Sequence, residues 1–324
     1  MLKTKMTEIL GIEYPIQCGT MQNISTAVLT ASVANAGGFC FLPAATYHNK
    51  QDFLDEVKKT KDMTDKPFGV NVGLFPEMTI TVTAEERIDW VIKAGVQILE
   101  TAGRNPGPNS EQIIGGGLKH IHKCARVRDA VKVAGLGVDM ISLVGTECGG
   151  HPSMEEVTTL ILIPTALDKI GKSVPIIAGG GFADGRGLMA ALSLGAAGVN
   201  MGTRFMATKE CPIHEDFKQK LIDTPETDTV LVMKSLMNPS RVLKTPGAEK
   251  ILELESKGAS LEELAPYISG RTSAVGWKDG TFNQGMYPGG QVVGRINDNP
   301  TVAVLIKRIV DEAIEVKAEL DKLF

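Results

Sequence analysis

The stretch Pro175-Ile-Ile-Ala-Gly-Gly-Gly-Phe-Ala-Asp-Gly-Arg-Gly187 decides the fold, together with its echo Gly198-Val-Asn-Met-Gly-Thr-Arg-Phe205. Each half is a short apolar run that ends in glycine. The first then reopens as a helix, with Asp184 as N-cap and Gly195 at the far end. Bare backbone N–H groups at such strand ends leave room for a phosphate beside the chain. Two neighbouring strand ends built this way resemble the phosphate grip after strands 7 and 8 of a (β/α)8 barrel.

Working outward, short β-type runs alternate with helical patterns. Strands are expected at Pro15–Cys18, Gly38–Leu42, Phe68–Val72, Gln97–Thr101, Lys119–Lys123, Met140–Leu143, Pro175–Ala178 and Gly198–Met201. Several are apolar on both faces, as strands must be when helices cover one side and a packed barrel fills the other. The class is therefore α/β, a (β/α)8 TIM barrel over residues 1–205. Ala84–Ala94 and Val157–Ile170 carry helical spacing, with a kink expected at Pro164. Residues 206–324 read as a mainly helical extension packing on the barrel and covering its mouth. Ala248–Lys257 and Thr301–Leu323 are its clearest amphipathic runs. Ser273–Gln291 is too glycine-rich for a helix. Its Trp277, Phe282, Met286 and Tyr287 predict an ordered segment over the mouth.

Composition narrows the function. The 324 residues are 43% hydrophobic and 22% charged, with a formal net charge of −4. An acidic balance without a basic stripe argues against nucleic acid. No apolar run is long enough to span a membrane, and no signal peptide is legible, so a cytoplasmic protein is expected. The five cysteines (Cys18, Cys40, Cys124, Cys148, Cys211) form no C-x-x-C pair, which predicts reduced thiols and no metal site. His120 and His122 share a strand face without further ligands around them, so core or interface positions are expected.

Most predicted strand ends carry a polar or glycine-rich element, where barrel active sites lie. The runs Gly19-Thr-Met-Gln22, Phe68-Gly-Val-Asn71, Ile121-His-Lys-Cys124, Glu147-Cys-Gly-Gly-His-Pro152, Gly180–Gly187 and Asn200–Pro212 make the chain resemble the nitronate monooxygenase (2-nitropropane dioxygenase-like) superfamily of FMN-dependent barrels. The resemblance covers nearly the whole length and is strongest to the bacterial NADH:quinone reductase branch. Thr20, Asn23 and Gly149 depart from that branch, which usually carries glycine, tryptophan and alanine there.

The resemblance implies FMN as cofactor, with NADH or NADPH as co-substrate. It implies that Gly179, Gly180, Gly181, Gly202 and Thr203 hold the FMN phosphate. Met21, Gln22 and Asn71 would contact the ring, and Lys123 would set a positive charge beside it, favouring the reduced form. Gly150 would let the backbone approach the flavin, and His151 would act in acid–base work or orient a substrate. Cys148 beside His151 lacks the arrangement of a nucleophile. Gly73–Ile80 is expected to form a lid admitting the nicotinamide nucleotide. No dinucleotide fingerprint follows a strand, so that nucleotide would bind over the flavin. The implied reaction passes hydride from NAD(P)H to FMN and two electrons to a quinone. Nitronate oxidation with O2 and reduction of an enoyl thioester are the alternative enzyme readings. A phosphate-binding sensor without redox chemistry is the alternative of a different class. Expected partners are small molecules, with a homo-oligomer left open.

Overall fold

The computed structural model describes residues 2–74 and 82–323. It opens with α1 (Lys5–Leu10), β1 (Ile16–Cys18), α2 (Ala27–Asn35), β2 (Phe39–Pro43), α3 (Lys50–Met63), β3 (Gly69–Leu74), α4 (Ala84–Lys93), β4 (Ile98–Gly103) and α5 (Ser110–Gly115). There follow β5 (Lys119–Cys124), α6 (Val127–Ala134), β6 (Met140–Val144), α7 (Thr159–Ile170), β7 (Ile176–Gly179), α8 (Gly185–Ser193), β8 (Gly198–Met201) and the single turn α9 (Thr203–Met206). The rest is α10 (Glu215–Asp223), β9 (Thr229–Val232), β10 (Ser240–Leu243), α11 (Pro246–Ser256), α12 (Leu261–Ile268), α13 (Gly270–Asp279) and α14 (Val302–Leu320).

Strands β1 to β8 form a closed parallel barrel, sealed where Ile16 and Cys18 of β1 pair with Val199 and Met201 of β8. The strand boundaries differ from those expected by at most two residues. Period-two alternation sorts the side chains between barrel interior and helix layer. The lower interior is apolar: Phe39, Phe41, Ile98, Ile121, Met140 and Ile177 form one buried cluster with Met6 and Leu10 of α1. Thus α1, held by a capping box between Thr4 and Thr7, plugs the N-terminal end. The layer is tight enough that a Cβ on Gly69 would lie 2.5 Å from the Phe41 ring. One pleat higher, the same faces carry Gln17, Asn71, Glu100, Lys123, Ser142 and Asn200. The interior therefore changes from oil to polar groups toward the C-terminal mouth, where a site can form.

The helix ring is closed by α14, which packs between α8 and α2. A Cβ on Gly185 would lie 2.6 Å from the Ile309 carbonyl, so only glycine permits this approach. The ring thus draws its last helix from beyond residue 205, because α9 is too short to cover β8. The extension also contains an antiparallel ribbon of β9 and β10, with Val232 paired to Ser240, which was not foreseen. Ser273–Asp279 corrects the expectation of an irregular segment: it is helical within α13, begun by Ser269 and ended by left-handed Gly280 (φ +73°). Gly276 is tolerated there because the Tyr287 hydroxyl occupies the place of its side chain. Beyond α13 the chain is irregular but ordered by aromatic contacts. Trp277 and Phe217 have ring centroids 4.1 Å apart, and the Tyr287 hydroxyl lies 2.9 and 2.6 Å from the carbonyls of Thr281 and Gln284, either of which can accept its proton. Of the expected lid, Gly73 and Leu74 complete β3, while Phe75–Ile80 lies outside the described residues. Among the described residues, no helix is long and apolar enough to cross a membrane.

Candidate active site

At the ends of β7 and β8 the backbone is opened by glycine. Gly180 and Gly181 stand at φ +95° and +86°, a region closed to most residues with a side chain. Gly202 and Thr203, at the end of β8, begin the α9 turn and leave their N–H groups without intrahelical acceptors. A Cβ on Gly202 would meet only the Met21 sulfur, at 4.0 Å. The space beside Gly202 is thus open and bordered by Met21 from the β1 loop, while Thr159 and Glu147 stand beside Gly180 and Gly181. Gly179, the last residue of β7, pairs with Asn200, so both strand ends lie at one level.

Thr159 braces this turn. Its hydroxyl lies 3.1 and 3.0 Å from the carbonyls of Gly179 and Gly180 and 2.9 Å from the Glu147 carboxylate. Glu147 in turn accepts the Thr159 N–H at 3.0 Å, capping the start of α7. The Thr203 hydroxyl accepts the Gly290 N–H at 3.0 Å. The Gln291 N–H donates to the Glu147 carbonyl, also at 3.0 Å. These last two bonds rest the extension against the mouth.

In the same barrel mouth lies a charged floor centred on Glu100 of β4, whose side chain is fully buried. Its Oε2 accepts from Asn71 Nδ2 at 2.6 Å and from the Thr20 hydroxyl at 2.9 Å, and it pairs with Lys123 Nζ at 3.4 Å. Gln17 Nε2 donates to Oε1 at 3.2 Å. Beside it, Asn200 Nδ2 donates to the Ser142 hydroxyl at 3.0 Å. The structure thus brings Asn71 and Lys123 together through a carboxylate that sequence reasoning missed. The available signal was a lone charged residue inside the apolar run Ile98-Leu99-Glu100. Thr20 is also accounted for, since its hydroxyl serves that carboxylate.

His151 stands on the loop after β6. Gly150 precedes it at φ +83°, and its N–H and C=O both pair with Arg241 of β10, at 3.0 and 2.6 Å. The ribbon therefore fixes the loop. His151 Nδ1 lies 3.1 Å from the Pro239 carbonyl, which only accepts, so the neutral ring carries its proton on Nδ1 and Nε2 is an acceptor. The residue is exposed on one side. Loss of water on its other sides, with the like charge of Lys123, lowers its pKa despite hydrogen bonds to Pro239 and Asn238. Gln22 is exposed at the rim and donates to the Ala45 carbonyl at 3.3 Å. Burial pushes the Cys148 thiol up to about 12, which leaves it protonated and unsuited to nucleophilic attack. His120 and His122 face the helix layer and meet the Thr101 hydroxyl at 2.7 and 2.8 Å. Burial lowers both to about 4, so they are neutral.

The mouth of this closed parallel barrel joins glycine-rich strand ends at β7 and β8 with a buried charged floor. The profile of the nitronate monooxygenase family matches residues 3–312, and the chain belongs to that family of oxidoreductases. A Mycobacterium tuberculosis protein named (3aS,4S,5R,7aS)-5-hydroxy-7a-methyl-1-oxo-octahydro-1H-indene-4-carboxyl-CoA dehydrogenase is 32% identical, over 97% of this chain and 96% of its own. A probable nitronate monooxygenase of Staphylococcus aureus is also 32% identical, over 71% of this chain and 75% of its own. Among solved structures, FabK from Thermotoga maritima superposes with a TM-score of 0.91 at 32% identity, with both chains covered completely.

Proposed function

We propose that the chain is an FMN-dependent oxidoreductase that exchanges hydride with NADH or NADPH and acts on a thioester of the CoA type. The observation that carries the flavin reading is the glycine-opened backbone at the ends of β7 and β8, with left-handed Gly180 and Gly181 and open space at Gly202, in the same barrel mouth as Lys123 and Asn71. When bound, FMN supplies two-electron chemistry. The amides of Gly180, Gly181, Gly202 and Thr203, with Gly179 behind them, would hold its phosphate, as bare N–H groups hold anions elsewhere. Met21, Gln22 and Asn71 would border the ring, and Gly150 would let the chain come close to it. Lys123 would stabilise negative charge there. His151 would accept or hold a proton at Nε2, the atom left as acceptor by its Nδ1 bond.

The thioester reading is supported by the mycobacterial relative, which spans nearly the whole chain and is named for a CoA derivative. The nitronate reading is supported by the family profile and the staphylococcal relative. It uses the same residues, with Nε2 of His151 taking the proton from the carbon beside the nitro group of a nitroalkane to give the nitronate, and needs no nicotinamide. A quinone acceptor rests on the motif Glu147–Pro152 alone.

The test begins with the colour of the purified protein and release of FMN on heating. Anaerobic mixing with NADH or NADPH then follows, and rapid bleaching is expected. Reoxidation by crotonyl-CoA faster than by benzoquinone supports the thioester reading, and the reverse order supports the quinone. Absence of bleaching, with turnover of propyl nitronate in air, would overturn the nicotinamide reading in favour of nitronate oxidation.

A further inference from the structure

Glu100 is the one charged group of the floor to which the proposed chemistry gives no part. It is carried on β4, in register with Asn71 of β3 and Ile121 of β5. Its side chain is fully buried, whereas that of Lys123 keeps 24% of its surface exposed. A buried carboxylate without partners is strongly disfavoured. Here four donors meet it: Gln17, Thr20, Asn71 and Lys123. Three come from barrel strands and one from the loop after β1, so a single group ties neighbouring parts of the mouth together.

We propose that Glu100 is a positioning residue that sets both the charge and the orientation of the floor under the flavin ring, and so sets the reduction potential of the bound cofactor. The inference rests on the FMN reading. Two consequences of the geometry carry it. With Lys123 Nζ 3.4 Å from Oε2, the two charges act on a nearby ring as a dipole rather than as a lone cation. Because a carboxylate only accepts, Asn71 must turn its NH2 toward Glu100 and present Oδ1 on its other side. Two-electron reduction adds two electrons and one proton to the ring and leaves it with a net negative charge. Removing the negative charge of Glu100 therefore favours the reduced form.

The experiment measures the midpoint potential of bound FMN by anaerobic dye-linked titration, FMN affinity, and the melting temperature of the cofactor-free protein. Glu100→Gln is expected to favour the reduced form by roughly tenfold, about 30 mV for a two-electron couple. Lys123→Met should shift it in the opposite direction, and the double variant should lie near wild type. Thr20→Val, at the edge of the cluster, removes one donor and leaves the carboxylate less neutralised, so it should lower the potential by a smaller step. If Glu100→Gln does not fold, Thr20→Val decides alone. A purely structural role would lower the melting temperature and leave the potential at the wild-type value, and that result overturns the inference. A wild-type protein that binds no FMN removes the flavin reading and this inference with it. FMN binding with unchanged potentials in the variants removes this inference alone.

Discussion

Gly202→Ala separates cofactor binding from folding. Gly202 stands at φ −94° and ψ −70°, a conformation that alanine adopts without strain. The added Cβ would face open space, with only the Met21 sulfur at 4.0 Å. The stability of the cofactor-free protein should therefore change by less than about 1 kcal/mol. If the phosphate rests on the amides of Gly202 and Thr203, the same methyl group intrudes on it. Loss of one hydrogen bond to a charged group costs about 1.5–3 kcal/mol, or roughly ten- to a hundredfold in affinity. Gly180→Ala would be a poorer probe. Its φ of +95° and the Thr159 hydroxyl, 3.0 Å from the new Cβ, would add folding strain to any binding effect. Gly115→Ala, where a Cβ meets nothing within 4 Å, is the control and should leave FMN affinity unchanged. Titration of the stripped protein with FMN, followed by flavin fluorescence, gives the affinities, and urea unfolding gives the stabilities. Wild-type affinity in Gly202→Ala would refute the assignment of the cradle.

Three further outcomes are expected. His120 and His122 are held near 4 against an ordinary 6.5, so the unfolded chain binds more protons between these values and stability falls as pH drops through that window. The loss is about 2 kcal/mol per ring by pH 5, measured by urea unfolding, and a flat profile between pH 7 and 5 would contradict it. Thr159→Val removes the brace between Glu147 and the Gly179–Gly180 carbonyls. It should cost about 1–3 kcal/mol and weaken FMN binding, whereas an unchanged unfolding midpoint would show that the brace is idle. Cys148, held protonated at about 12, should resist iodoacetamide at pH 8, and Cys148→Ala should retain FMN; fast alkylation would count against the buried thiol.

The barrel was legible because several of its strands are short runs apolar on both faces and bounded by turn residues, a pattern that survives without knowledge of the partners. The left-handed turn at Gly180 and Gly181 was legible because its glycines are contiguous in sequence. Glu100 was not, because its donors Gln17, Thr20, Asn71 and Lys123 come from separate stretches, and a single glutamate in a strand reads as readily as a solvated one. The β9–β10 ribbon escaped notice because its strands are four residues each, joined through Met233 and Met237 at φ +62° and +53°, which no local pattern announces. The helical start of Ser273–Gln291 was obscured by Gly276, whose reason is the distant Tyr287.

The position of α14 in the ring has a consequence for biosynthesis. It seals the seam between α8 and α2, although the extension separates it from β8 in the chain. As the polypeptide leaves the ribosome, the eight strands are all available before this helix has been made, and the apolar flanks of α2 and α8 stay uncovered during that interval. Val302–Leu320 thus acts as the closing stave of the cask, and the nascent protein is most open to chaperones and to aggregation just before it arrives.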